Sequence, residues 1–413
     1  MLGPMPDVRL LFATRIIRLF AYGALSVVLV FYLIEVGLSE RQTGLLLTLT
    51  LLGDTAISLA ITTTADRLGR RRMLIAGAAL MTAAGLVMAS TTQFWLLVLA
   101  ATVGVISPSG QEVGPFLPIE QAALSGLVGA RRRTHVFAWY TLAGAFATAT
   151  GALAAGFLTG DRFAGARAPV ERYRTIVLLY AALGVLLAVV FWRLSADAEA
   201  APEPADPSNE ATAPHASGLL RSRPVVRQLS ALFALDAFGG GFVTQSFAAY
   251  WFHLRYGIEP ATLGPIFFWA NLLAGLSALV ASRLAARFGL VRTMVWTHLP
   301  SNVLLILVPL MPTLPWAIAT LLLRFSISQM DVPTRQSYVM AVVPARERAA
   351  AAGVTGVART IGAAISPVFV GLCFARPALI SVPFFVAGSL KIAYDLVLYR
   401  QFVAVRPLDD GEP

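Results

Sequence analysis

Arg324, Ser328, Asp331 and Arg335 stand at positions i, i+4, i+7 and i+11 of an apolar run, so one helix through them carries a continuous polar stripe. Such a stripe has no place against lipid, because an ionisable side chain in hydrocarbon costs roughly 2.5–3.5 kcal/mol on insertion scales. Asp331 and Arg335 can neutralise one another. Arg324 has no acid within a turn and is the better candidate for contact with a solute. Arg15 and Arg18 are three apart and share a helix face; they either snorkel to the near surface or face the interior. Glu112 lies in "ISPSGQEVGPFLPIEQ", where Pro108, Pro115, Pro118, Gly110 and Gly114 forbid a straight helix. Two readings stand for Glu112: a carboxyl that takes up and releases a proton, or an ion pair with an arginine such as Arg359. Asp236 aligns approximately with Arg15 and is a second candidate for proton exchange, or for a pair with that arginine. The glycines after it, in "DAFGGGF", suit a bending helix. Arg359, near the middle of its run, has little room to snorkel. Asp54 is read either as a contact between the halves of the chain or as hydrogen-bonded to Thr50 or Ser58. Lys391 and Asp395, four apart, are expected to pair. Buried guanidinium groups bind anions such as carboxylates, and Arg18, Arg324 and Arg359 are the candidates for that task.

The elements that must position these groups follow from composition. The chain has 413 residues, 57% hydrophobic and 13% charged. A soluble domain runs at roughly 45–50% apolar and about 25% charged, so a soluble or a disordered chain is excluded. Runs of about 20 apolar residues, the length that crosses a bilayer, occur twelve times: at roughly 10–34, 43–63, 73–91, 94–124, 135–158, 174–194, 227–254, 262–283, 293–311, 315–342, 350–374 and 378–400. The expected organisation is a six-helix bundle over 1–194, a flexible cytoplasmic linker over 195–224, and a second bundle with a short tail over 225–413. The linker expectation rests on the Pro-, Ala- and acid-rich stretch beginning at Ser195. With both termini cytoplasmic, eighteen arginines lie on the inner side and seven on the outer, which sets the orientation. The residues before Val8 carry no cleavable leader signal, so the first run is expected to stay as a span.

The halves repeat. A shift of 220 residues pairs Arg67, Gly69 and Arg72 with Arg287, Gly289 and Arg292. A shift of 215 pairs "LPIEQAALSGLVGARRR" with "VPTRQSYVMAVVPARER", setting Pro118 against Pro333 and Gln121 against Gln336. The fold class is therefore an all-α polytopic membrane protein of twelve transmembrane helices in two pseudo-symmetric six-helix bundles. At "DRLGRRRML" the chain resembles the major facilitator superfamily, whose signature between spans two and three matches Asp66, Arg67, Gly69, Arg70 and Arg71. Thr62 stands where members carry a glycine. The resemblance implies alternating-access transport with these five residues as a gate latch, Asp66 capping the next span. A purely orienting basic loop is the other reading.

No phosphate-binding Gly-rich loop is present, and His135, His215, His253 and His298 lack metal-ligand spacing. No enzyme, cofactor or metal is expected. The net charge of +10 sits in short arginine blocks between apolar runs, so nucleic acid is not an expected partner. Cys373, the sole cysteine, rules out an intrachain disulfide. The reading is a monomeric, proton-coupled secondary transporter of a small, anionic or carboxylated organic solute in a bacterial inner membrane, with efflux favoured. An anion uniporter or exchanger without proton coupling competes with it, and a non-transporting sensor on the same fold is the distant alternative.

Overall fold

The structure, a computed structural model, describes residues 6–199, 222–344 and 347–403. Residues 200–221, most of the expected linker, lie outside the described residues, as do the side chains of Asp66, Arg131 and Arg133. Among the described residues, nine helices are long and apolar enough to cross a membrane. Three further spans are each split into two shorter helices. Span four is Phe94–Val103 and Phe116–Leu127; span seven is Arg223–Gly241 and Gln245–Tyr256; span ten is Leu314–Phe325 and Asp331–Ala341.

Local chemistry sets these boundaries. Span one (Pro6–Glu35) runs unbroken because its one proline stands at its first residue, where the missing N–H costs nothing. Ser39 and Gln42 form a reciprocal capping box that starts span two (Glu40–Leu68). Gly69, at φ +98°, turns the chain between spans two and three (Arg70–Ser90), a conformation that glycine adopts without strain. Its repeat partner Gly289, at φ +85°, makes the same turn between spans eight (Pro260–Phe288) and nine (Leu290–Leu307). Spans five and six are Ala130–Thr159 and Pro169–Trp192; spans eleven and twelve are Arg348–Phe374 and Val382–Phe402.

The breaks in spans four and ten also repeat. Pro118 and Pro333 each occupy the third residue of the second short helix, where the missing N–H removes a backbone bond to the preceding segment. The expected single stripe through Arg324, Ser328, Asp331 and Arg335 is corrected accordingly: residues 326–330 are non-helical. There the Ser326 and Ser328 hydroxyls donate to the carbonyls of Leu323 and Phe325, at 2.7 and 3.4 Å.

The chain divides into two compact units that cut across its halves. One comprises Met1–Ala201, Val243–Gly275 and Pro367–Val382; the other comprises Pro202–Phe242, Leu276–Ser366 and Pro383–Pro413. Within the first, the early spans are stitched to the segments 243–275 and 367–382. Ser246 Oγ donates to the carbonyls of Ser26 and Pro108, both at 2.8 Å, and Gln245 Nε2 donates to Ser26 Oγ at 2.8 Å. Val368 N donates to Thr48 Oγ1 at 3.0 Å, and Tyr173 donates to Glu259 at 3.0 Å. Gly156 and Gly264 let spans five and eight touch backbone to backbone, since a Cβ on Gly264 would lie 2.6 Å from Gly156 Cα. We expect Gly264→Leu to wedge this seam apart at a cost of about 1–3 kcal/mol. The readout is the melting temperature of the purified protein in detergent; an unchanged value would contradict the seam.

The second unit is built around Val226, Leu229, Phe233, Met294, Tyr338 and Leu398, which join spans seven, nine, ten and twelve in one buried cluster.

Candidate functional site

Each unit buries one charge cluster. In the first, span one presents Arg15 and Arg18 to the broken fourth span. Arg18 is fully buried, and its guanidinium grips Glu120 with two parallel bonds of 2.7 Å, a bidentate fork. It also donates to Glu112 through Nε at 3.2 Å and Nη2 at 3.1 Å. Arg15 Nη1 lies 2.6 Å from Glu112, and its guanidinium stacks over the Tyr140 ring at 4.4 Å from the centroid. Glu120, also fully buried, accepts from Thr14 Oγ1 at 2.8 Å and from the Tyr140 hydroxyl. Two arginines and two glutamates thus balance. Of the four, solvent reaches Glu112 most, its side chain being 16% exposed. Neither arginine snorkels. The partner of Glu112 is this pair rather than Arg359, and Arg15 pairs with Glu112 rather than with Asp236.

In the second unit, Asp236 of span seven gathers the cations. Lys391 Nζ lies 2.6 Å from Oδ1; Arg335 and Arg359 lie 3.2 and 3.4 Å from Oδ2. Arg335 also pairs with Asp331 at 2.9 Å, as the sequence suggests. Lys391 does not pair with Asp395. Gly239 and Gly240 have no side chains, so the lysine stem lies along them, its Cγ and Nζ at 3.1 and 3.6 Å from where their Cβ atoms would be, and its ammonium reaches Asp236. Asp395 instead bonds His298 Nδ1 at 2.8 Å and Asn302 Nδ2 at 3.0 Å. His298 Nε2 stands 3.7 Å from Asp236, so the imidazole bridges two carboxylates. Arg359 is 34% exposed. Arg324 stacks over Phe325 at 5.0 Å, its Nε is buried without a partner, and among the described residues no acid lies within ion-pair reach of it.

The two clusters are charge-reversed copies of one arrangement. In the first, span one supplies cations and span four the acid Glu120. In the second, span seven supplies the acid Asp236 and span ten the cation Arg335, which occupies the position of Glu120 under the 215-residue shift.

The signature loop is anchored by an acid from beyond span six. Glu199 caps span three: its oxygens accept from the backbone N–H groups of Arg70 at 2.6 Å and Arg71 at 3.2 Å, while the expected cap by Asp66 falls on a side chain outside the described residues. A carboxylate at a helix N-terminus is favoured by the dipole and by the unpaired amides there. Arg71 Nη1 donates to the carbonyl of Leu194 at 3.2 Å, and Arg67 is exposed. Asp7 holds the same segment through Ser195 N at 3.1 Å. Asp54 meets neither Thr50 nor Ser58; its Oδ2 accepts from Gly114 N at 3.2 Å. Sequence reasoning passed over Glu120, His298 and Glu199. A polar residue deep in an apolar run is the signal for the first two; nothing local marks Glu199.

The profile of the Major Facilitator Superfamily matches residues 11–367. An uncharacterized membrane protein of Saccharomyces cerevisiae is 32% identical over 425 residues, covering 97% of this chain and 94% of the relative. Among solved structures, a bacterial homolog of the human lysosomal transporter Spinster, in an inward-facing and occupied conformation, matches with a TM-score of 0.74 at 17% identity, over 98% of this chain and 99% of that one. A D-xylose–proton symporter matches with a TM-score of 0.74 at 14% identity, over 95% and 97%. These solved structures share the all-helical fold of this chain. The chain belongs to the Major Facilitator Superfamily, and it moves a small solute across a membrane.

Proposed function

We propose that the chain is a proton-coupled secondary transporter of a small organic anion, acting as a monomer in an inner or plasma membrane with both termini cytoplasmic. The observation that carries the anionic reading is Arg324, a half-buried guanidinium with one orphaned nitrogen and no acid within reach among the described residues. A carboxylate supplies what it lacks. Arg359, partly exposed on Asp236, is the second contact; Arg18 joins only in a conformation that frees it from its two glutamates. Glu112 and Asp236 are the coupling acids, because each is shared among several cations and can trade one for a proton or a solute. Asp66, Arg67, Gly69, Arg70 and Arg71 act as the gate latch, with Glu199 as the acid that holds span three. Export is proposed on the resemblance alone.

A second reading, anion exchange without protons, is favoured by the ion pairs themselves, since acids locked to arginines need not titrate. Proteoliposomes holding a pH dye separate the two. A panel of carboxylates presented outside is expected to drive proton movement that Glu112→Gln abolishes while solute exchange continues, and Arg324→Gln is expected to weaken solute uptake at least tenfold. Solute movement with no change in internal pH would establish the exchanger instead.

A further inference from the structure

Each buried acid of the two clusters has a cation or a histidine beside it, and the buried Asp7 and Glu347 have serine donors, Ser195 and Ser222. Asp54, near the middle of span two, has neither. It is 6% exposed; one oxygen accepts from Gly114 N at 3.2 Å, and the other is buried with no partner. Among the described residues no arginine, lysine or histidine forms an ion pair with it. The titratable groups that feel its charge are Tyr22 of span one and Tyr180 of span six. The Tyr22 hydroxyl is itself unpartnered, and Tyr180 donates to the carbonyl of Val105 at 2.5 Å. Span three carries no ionisable residue beyond Arg70, Arg71 and Arg72 at its start, and Phe94–Val103 carries none. The remaining acids nearby in span four, Glu112 and Glu120, belong to Arg15 and Arg18.

We propose that Asp54 is a third proton-bearing acid beside Glu112 and Asp236, and that in this conformation it holds its proton as a neutral carboxylic acid. An ionised carboxylate taken out of water without a counter-charge is strongly destabilised, whereas a neutral one needs little more than the contact Gly114 provides. The placement also gives the proton leverage. Gly114, at φ +79°, fixes the end of the non-helical strap 104–115, and a Cβ there would run into Val105. Glu112 is two residues away on that strap. When the O–H bond of Asp54 breaks and the proton leaves to water, the new anion pulls on the Gly114 amide and repels Glu112. The strap that seats Glu112 between Arg15 and Arg18 is thereby disturbed, which is how proton release would loosen the cluster.

The transport role rests on the proton-coupled reading, but the protonation state can be read with no solute at all. Infrared difference spectra of the full chain in lipid nanodiscs, recorded across a pH titration, report the C=O stretch of a protonated carboxylic acid. The band is expected in the wild type, lost in Asp54→Asn, shifted in frequency in Asp54→Glu and retained in Glu112→Gln. Asparagine keeps an acceptor for Gly114; should that variant fail to fold, the frequency shift of the glutamate variant decides the matter. A band that survives Asp54→Asn, disappears in Glu112→Gln, or is absent throughout overturns the assignment. A band belonging to Asp54 in a chain that moves no protons would remove the proposed function and leave this assignment standing.

Discussion

Arg18→Met is expected to lower stability by about 3–5 kcal/mol, the usual penalty for stripping one member from a buried ion pair. Arg18 and Glu120 are both fully buried and joined by two bonds of 2.7 Å. Without the guanidinium, Glu120 keeps only the hydroxyl donors Thr14 and Tyr140, too little for an ionised carboxylate. The readout is the melting temperature and monodisperse yield of the purified protein in detergent. Arg18→Met combined with Glu120→Gln is expected to recover most of the loss, because replacing both partners removes the stranded charge. Arg15→Met should be milder, since its partner Glu112 is partly solvated and retains Arg18. A stable Arg18→Met single variant, or a double variant no better than its worse parent, would show that the fork does not hold spans one and four together.

How much of this was legible in the sequence follows from the range of each interaction. The spans, the glycine turn at Gly69 and its echo at Gly289, and the break in span four all depend on residues a few positions apart. They could be read from the chain directly. Which charge meets which could not. Arg15 and Asp236 fall at nearly the same place in the repeat and invite pairing, yet each is satisfied by its own unit because the broken fourth span carries Glu112 and Glu120 to span one. Lys391 and Asp395 are four apart, but such a pair gains only about 0.2–0.5 kcal/mol on a helix. An acid on span seven, reached along two glycines, outcompetes it. Glu120 was legible in principle: the 215-residue shift lays it on Arg335, and an inverted charge at a repeated position is a signal that hydropathy alone hides. Glu199 was not legible, because it lies 129 residues from the Arg70 amide it caps.

Asp236→Asn carries a comparable or larger expected loss for the opposite reason: it strands cations instead of an acid. Lys391 has no other acid within ion-pair reach among the described residues, Arg359 likewise depends on Asp236, and only Arg335 keeps a second partner in Asp331. His298, 3.7 Å away, retains Asp395 and does not replace the missing charge. The expected fall is about 3–5 kcal/mol, seen as loss of the folded peak in gel filtration. Lys391→Met added to Asp236→Asn should restore the fold, because it removes the most buried of the cations that lose their counter-ion while Arg359, 34% exposed, can turn to water. Arg359→Gln alone should leave stability nearly unchanged and act on transport. That asymmetry separates a scaffold charge from a solute contact: if Arg359→Gln unfolds the protein as Asp236→Asn does, Arg359 belongs to the scaffold and solute recognition falls to Arg324.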